Sequence, residues 1–222
     1  MRRSSLSRVF VMPFIAGLFA AALGGCQVPG YVIQAFEGPA KTPAVYEIED
    51  RPTVVFVEDA GQVLPNVALP AVIAARVGDQ LVDQDALSNE HLVDAVKVEQ
   101  LRAREPEFGE WSVTRIGREL GAEQVVWIAV TDFQLTDAGQ IFRPVASAAV
   151  KVIDVSADRR IFPQRGDTGH PVASQLTYRP MSEQTLGNER TLARELAIRL
   201  ARDAARLFHR YTARPIGSGF ED

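Results

Sequence analysis

The chain predicts an α/β domain, a single mixed sheet of three to five strands with about three packed helices in the order β-α-β-α-β-β-(β)-α. Two observations carry this reading. Short β-branched apolar runs alternate with segments whose apolar residues recur at helical spacing, the pattern of strands joined through helices. No internal repeat and no compositional break interrupts residues 53–211, so one sheet is the economical arrangement.

The elements follow in order. Thr53-Val54-Val55-Phe56-Val57-Glu58 reads as a strand buried on both faces, closed by Asp59-Ala60-Gly61. Pro70 opens a helix whose Ile73, Val77 and Leu81 share one stripe, with Ala74 beside them. Residues 93–101 read as a second strand, with Val96 and Val98 on one face. A polar loop, 104–111, then carries Phe108 and Trp111. Ser112 is placed to N-cap a second helix in which Val113, Ile116 and Leu120 align, and Gly121 to end it in a left-handed conformation. Residues 124–135 form the longest expected strand and 136–140 its turn. Residues 146–155 return, and shorter strands follow at 160–162 and 172–177. The last helix runs from about 188 to about 211, burying Leu192, Leu196, Leu200, Leu207 and Phe208 and turning a row of arginines outward. Residues 212–222 read as a loose tail.

Ahead of the domain lie Arg2, Arg3 and Arg8, an uncharged 15-residue run from Val9 to Leu23, then Leu23-Gly24-Gly25-Cys26 with the chain's single cysteine. A basic stretch, a short apolar stretch and small residues in that order form a secretory signal peptide, residues 1–25. A simple membrane anchor is the alternative, but 15 residues fall short of the ~20 that cross a bilayer, and Pro13 interrupts them. The sequence Leu23-Gly24-Gly25-Cys26 resembles the lipobox of bacterial lipoproteins. The resemblance implies cleavage between Gly25 and Cys26, a diacylglyceryl group on the Cys26 sulfur and acylation of the new amino terminus. Gln27, where an aspartate would mark inner-membrane retention, implies the outer membrane, facing the periplasm. Residues 26–52 hold Pro29, Pro39, Pro43 and Pro52 and read as a tether spanning roughly 28 Å as a coil. Within it, Tyr31-Val32-Ile33 and Val45-Tyr46-Glu47-Ile48 are apolar enough to dock.

The three arginines and absence of acid in residues 1–25 leave 21 basic against 28 acidic side chains in 26–222, a net charge of −7. An acidic body without interleaved basic and aromatic residues argues against nucleic acid as partner. It gains nothing from an anionic membrane, so attachment falls to lipid on Cys26. With Cys26 acylated, no thiol remains for a disulfide, a thiolate nucleophile or a zinc cluster.

The run from Ile116 to Val130, a helix ending in Leu120-Gly121-Ala122 and entering a buried strand, resembles an element of several envelope proteins. These are the curli-secretion lipoprotein CsgG, the lipoprotein activator of penicillin-binding proteins and the N-terminal domain of TolB, all with an α/β fold of the anticodon-binding-domain type. The resemblance implies that fold for residues 53–211 and names no site. The pore hairpins of the secretion lipoprotein have no counterpart here, since the turn at 136–140 is short.

Catalytic signatures are weak. His91, His170 and His209 share no ligand spacing, and no Gly-x-Ser-x-Gly or metal-binding motif occurs, so neither a catalytic residue nor a metal or cofactor is assigned. His209 reads as a cation at a helix C-terminus. Gly117 and Gly121 do not follow a strand, so no phosphate-cradling loop is indicated. Phe108 and Trp111 are the candidate partner-binding anchors, because large aromatics in a polar loop anchor interfaces; capping the end of the core is their other reading. The sequence thus reads as a lipid-anchored envelope protein acting as a non-enzymatic binding or scaffold module. Its partner would be another envelope protein or peptidoglycan-associated machinery. The alternatives are an envelope hydrolase built on Asp132, Asp154 and the His170 loop, and an oligomeric secretion component.

Overall fold

A computed structural model of the chain describes residues 41–135, 144–176 and 189–212. Contacts divide the chain into a compact unit, Pro43–Tyr211, and a second unit made of residues 1–42 and 212–222, of which Lys41, Thr42 and Thr212 are described. The signal peptide, Gly25, Cys26, most of the tether, the 136–140 turn and the tail therefore lie outside the described residues.

The compact unit is a mixed α/β fold. Its strands are β1 (Thr53–Glu58), β2 (Leu92–Val93), β3 (Gln124–Gln134), β4 (Val145–Asp154), β5 (Arg159–Phe162) and β6 (His170–Gln175). Its helices are α1 (Leu69–Asp83), α2 (Ala95–Arg104), α3 (Val113–Glu119) and α4 (Glu189–Ala205). The sheet runs β2-β1-β3-β4, with β5 and β6 both pairing β4. β1 is parallel to β2 and β3, and the pairs made by β4 are antiparallel. The α/β class is as the sequence reads, but among the described residues the sheet has six strands and four helices accompany it.

The largest departure is at 93–101. Only Leu92–Val93 are extended, and the following residues form helix α2. The Asp94 side chain accepts a hydrogen bond from the Val96 N–H, an N-cap that starts the helix. Val98 and Leu101, three apart, face inward, while Val96 is 56% exposed. The apparent alternation of Val96 and Val98 is incidental, and the three-residue spacing behind the Asp94 cap is the operative signal.

Each face of the sheet carries its own core. Val55, Val57, Val126, Ile128, Val150 and Val152 meet α1 and α4 through Ile73, Val77, Leu196 and Leu200. On the other face Val54, Phe56, Val125 and Ile153 meet α2 and α3 through Val98, Leu101 and Ile116. β1 is buried on both sides, as a central strand in parallel pairs requires. The close approach of α3 depends on Gly117: a Cβ there would lie 2.7 Å from Cγ2 of both Val125 and Val155. Ser112 caps α3, its hydroxyl accepting the Arg115 N–H, and Gly121 follows it at φ +70°. On α4, Ala193, Ala197, Ala201, Ala204 and Ala205 are buried with Leu196 and Leu200, so small residues set the contact with α1; Leu192 is half-buried.

Residues 43–52, the end of the expected tether, belong to the compact unit. Val45 and Tyr46 N–H both donate to the Leu207 carbonyl, Ile48 is buried, and Tyr46 packs on Phe162 and Phe208. This placement creates the sites described next.

Candidate functional site

The segment 43–52 crosses the β4–β5 hairpin, and between them opens a cleft of about 370 Å³. Arg51, Asp154, Arg159, Arg160 and Gln164 line it, with Tyr46 and Glu49 on the crossing segment. Arg51 Nη2 donates to Asp154 Oδ2 at 3.0 Å. Asp154 Oδ1 accepts the Ala157 N–H at 2.8 Å and the Ser156 hydroxyl at 2.7 Å. These bonds, the Ala157 N–H first, hold the Asp154 carboxyl far below the usual carboxylate range. Arg51 Nε lies 3.1 Å from Glu49 Oε2 without the alignment of a hydrogen bond, although it is shut off from solvent. Burial, reinforced by Glu49, raises the Tyr46 phenol above its ordinary value, so it stays protonated and a donor. Arg159 is exposed and makes no ion pair among the described residues. Arg160 lies 3.7 Å from the fully exposed Asp167.

A second cluster joins the same segment to the turn after α1. The Asp50 carboxylate accepts the Ser88 hydroxyl and the Ser88 N–H, and its Oδ1 lies 2.9 Å from His91 Nδ1. The hydroxyl and imidazole meet through the carboxylate rather than each other. Ser88 and His91 are therefore not hydrogen-bonded to one another as the nucleophile and imidazole base of a serine triad are. The hydrogen bonds from Ser88 and then His91 pull Asp50 down to about 2, and the bond to Asp50 raises His91.

The aromatic loop is folded onto the domain. Phe108 is 6% exposed, part of the α2–α3 core, and stacks edge-on against Phe56 at 6.1 Å. Trp111 is half-buried beside it, centroids 6.0 Å apart, and the Arg115 guanidinium lies 3.8 Å over its ring. The indole N–H finds no acceptor among the described residues. Of the two anchors read from the sequence, only Trp111 retains an accessible edge.

The remaining sequence candidates separate. β3 and β4 pair Gln124 with Asp154 and Asp132 with Ser147, so the two aspartates stand at opposite ends of the ladder, roughly 24 Å apart. His170 opens β6 opposite Val150 and stacks on Phe162 at 5.5 Å. His209 lies beyond α4 and is buried; its Nδ1 donates to the Arg210 carbonyl, so it does not cap the helix as the sequence suggested. Among the described residues no His, Cys, Asp and Glu side chains gather as a metal site. Of the arginines along α4, Arg199 pairs with Asp203 within the helix, and Arg206, just past its end, pairs with the same carboxylate. Asp203 accepts from Arg199 and Arg206, and also from Ser174 of β6. Both clusters escape sequence reasoning because their members lie 103 and 41 positions apart; the adjacent pair Arg159-Arg160 after a turn was the available signal.

No family model and no curated protein matches the chain. Solved structures do. A PelC dodecamer from Paraburkholderia phytofirmans is similar at 15% identity and TM-score 0.40, over 78% of this chain and 99% of that one. Lipoprotein GNA1162 from Neisseria meningitidis is similar at 13% identity and TM-score 0.40, over 64% and 90%. Hypothetical protein CT253 from Chlamydia trachomatis is similar at 17% identity and TM-score 0.36, over 70% and 98%. Among the described residues no helix is long and apolar enough to cross a membrane.

Proposed function

We propose that this chain is a lipid-anchored lipoprotein of the bacterial cell envelope, and that its α/β domain is a non-enzymatic binding or scaffold module. The observation that carries the proposal is Leu23-Gly24-Gly25-Cys26 directly after an uncharged 15-residue run and a basic start. Cys26 takes the lipid, residues 27–42 lead to the domain, and Gln27 favours the outer membrane. The resemblance of 116–130 to the secretion-lipoprotein, activator and TolB element adds a fold-level analogy within the envelope. The partner is another envelope protein. Trp111, half-buried with part of its ring accessible, supplies the contact surface.

The test is Cys26→Ser in the producing cell, read by lipid labelling and by fractionation. Labelling should vanish and the protein should leave the membrane fraction. Unchanged membrane attachment would make residues 9–23 a simple anchor and overturn the proposal. Affinity capture of the lipidated parent from its own membranes then identifies the partner.

A further inference from the structure

Three arginines, Arg51, Arg159 and Arg160, line one cleft of a chain whose residues 26–222 sum to −7. Such a concentration of one sign needs a reason, because cations in one cleft repel one another. The cleft's own carboxylates do not fully supply it. Asp154 has Oδ1 occupied by the hairpin turn and only Oδ2 on Arg51. Glu49, 65% exposed, approaches Arg51 Nε without aligning to it. Arg159 stands opposite Asp154 in the β4–β5 ladder but makes no ion pair among the described residues, and Arg160 lies 3.7 Å from a fully exposed carboxylate, Asp167. The cleft lining sums to +1, with most guanidinium donors unspent.

Arginine forks match the oxygens of tetrahedral oxyanions pairwise, and each bond to a charged acceptor is stronger than a neutral one. A phosphoryl group offers more oxygens than a carboxylate, and so satisfies more of the available donors. Tyr46, whose hydroxyl remains protonated, and Gln164 also line the cleft and carry neutral donors. The volume of about 370 Å³ sits near the lower end of the roughly 300–1,000 Å³ of ligand sites, room for a phosphoryl group with a small appended moiety.

We infer that this cleft binds a phosphoryl group, free or on a lipid head group, through Arg159 and Arg160, with Arg51 held by Asp154 as a fixed third cation. Full-length lipidated protein in neutral detergent is titrated at constant ionic strength with inorganic phosphate and, separately, with dioctanoyl phosphatidylglycerol. Phosphorus NMR line width and thermal unfolding report binding. The parent should bind at least one probe and gain Tm with it. Arg159→Gln combined with Arg160→Gln should weaken that binding at least about tenfold while changing Tm in chloride little, since the ion pair removed, Arg160–Asp167 at 3.7 Å, ends on a fully exposed carboxylate. The double lysine variant, which keeps charge and loses the fork, should fall between. A response to inorganic phosphate assigns the site to free phosphate. A response to the lipid alone assigns it to a head group. No response to either probe, or one that survives in the glutamine variant, overturns the inference.

Discussion

Arg51 Nη2 and Asp154 Oδ2 meet at 3.0 Å across 103 positions of sequence, and this contact fastens the segment entering the domain to the β4–β5 hairpin. Side chains at both ends are largely shielded, 18% and 14% exposed, so the pair is screened less than a surface bridge. Removing the carboxylate also frees the Ala157 N–H and the Ser156 hydroxyl that shape the turn.

Asp154→Ala should therefore lower Tm by several degrees at neutral pH. Asp154 titrates lower in the folded state than the ordinary 3.8, so its contribution is present above that value and is lost as pH falls below it. The Tm difference between parent and variant should shrink through that acid window. A constant difference down to the lowest pH would show that the charge on Asp154 does not stabilise the fold.

Two glycines separate packing from backbone conformation. Gly117→Ala sets a methyl 2.7 Å from two valine methyls; overpacking costs about 1–3 kcal/mol, which outweighs the ~1 kcal/mol gained from helix propensity. Gly121→Ala meets no atom within 4 Å, so its cost, about 1–2 kcal/mol, comes from the left-handed backbone alone. Asparagine tolerates that backbone but is larger. Gly121→Asn should thus be milder than Gly121→Ala, and Gly117→Asn harsher than Gly117→Ala, in urea unfolding. The same order at both sites would remove the distinction.

What the sequence made legible was local. β1 and β3 announce themselves by β-branched runs, α1 by Pro70 with Ile73, Val77 and Leu81, and α3 by Ser112 and Gly121 at its two ends. α2 did not, because Val96 and Val98 alternate by chance and the Asp94 cap is a single weak residue in a polar stretch. The pairing of β5 and β6 with one strand depends on contacts that no local pattern encodes. The same holds for the site: Arg51 and Asp154, or Asp50 and His91, become neighbours only when residues 43–52 dock. Tyr46 and Ile48 were the visible hint of that docking.

Phe108 and Trp111 should behave differently despite their proximity. Phe108→Ala empties a core position and should cost about 3–5 kcal/mol. Trp111→Ala, at a half-buried site, should cost roughly half that, and should also reduce partner capture. Trp111→Phe keeps the ring beneath Arg115 and removes an N–H that has no acceptor, so it should be neutral or slightly stabilising. Marked destabilisation by the phenylalanine variant would mean that the indole nitrogen is bonded in the native protein.

The Asp50–Ser88–His91 cluster predicts a pH signature of its own. His91 is raised above 6.5 by its bond to Asp50, so the folded state binds that proton more tightly than the unfolded chain does. Its contribution is fully present below 6.5 and disappears as pH rises through the folded value. Asp50, lowered to about 2, contributes above 3.8 and loses that contribution as pH falls toward 2. The cluster is therefore strongest between 3.8 and 6.5. It sits in solvent, so its effect is modest and shrinks in high salt. Proton NMR of the His91 ring should give a titration midpoint above 6.5 that returns to the ordinary value in Asp50→Asn. The Ser88→Ala variant should leave the His91 midpoint raised, because Ser88 bonds the carboxylate and not the imidazole. A His91 midpoint at or below 6.5 in the parent would mean that the 2.9 Å contact does not hold in solution, and that His91 takes no part in anchoring residues 43–52.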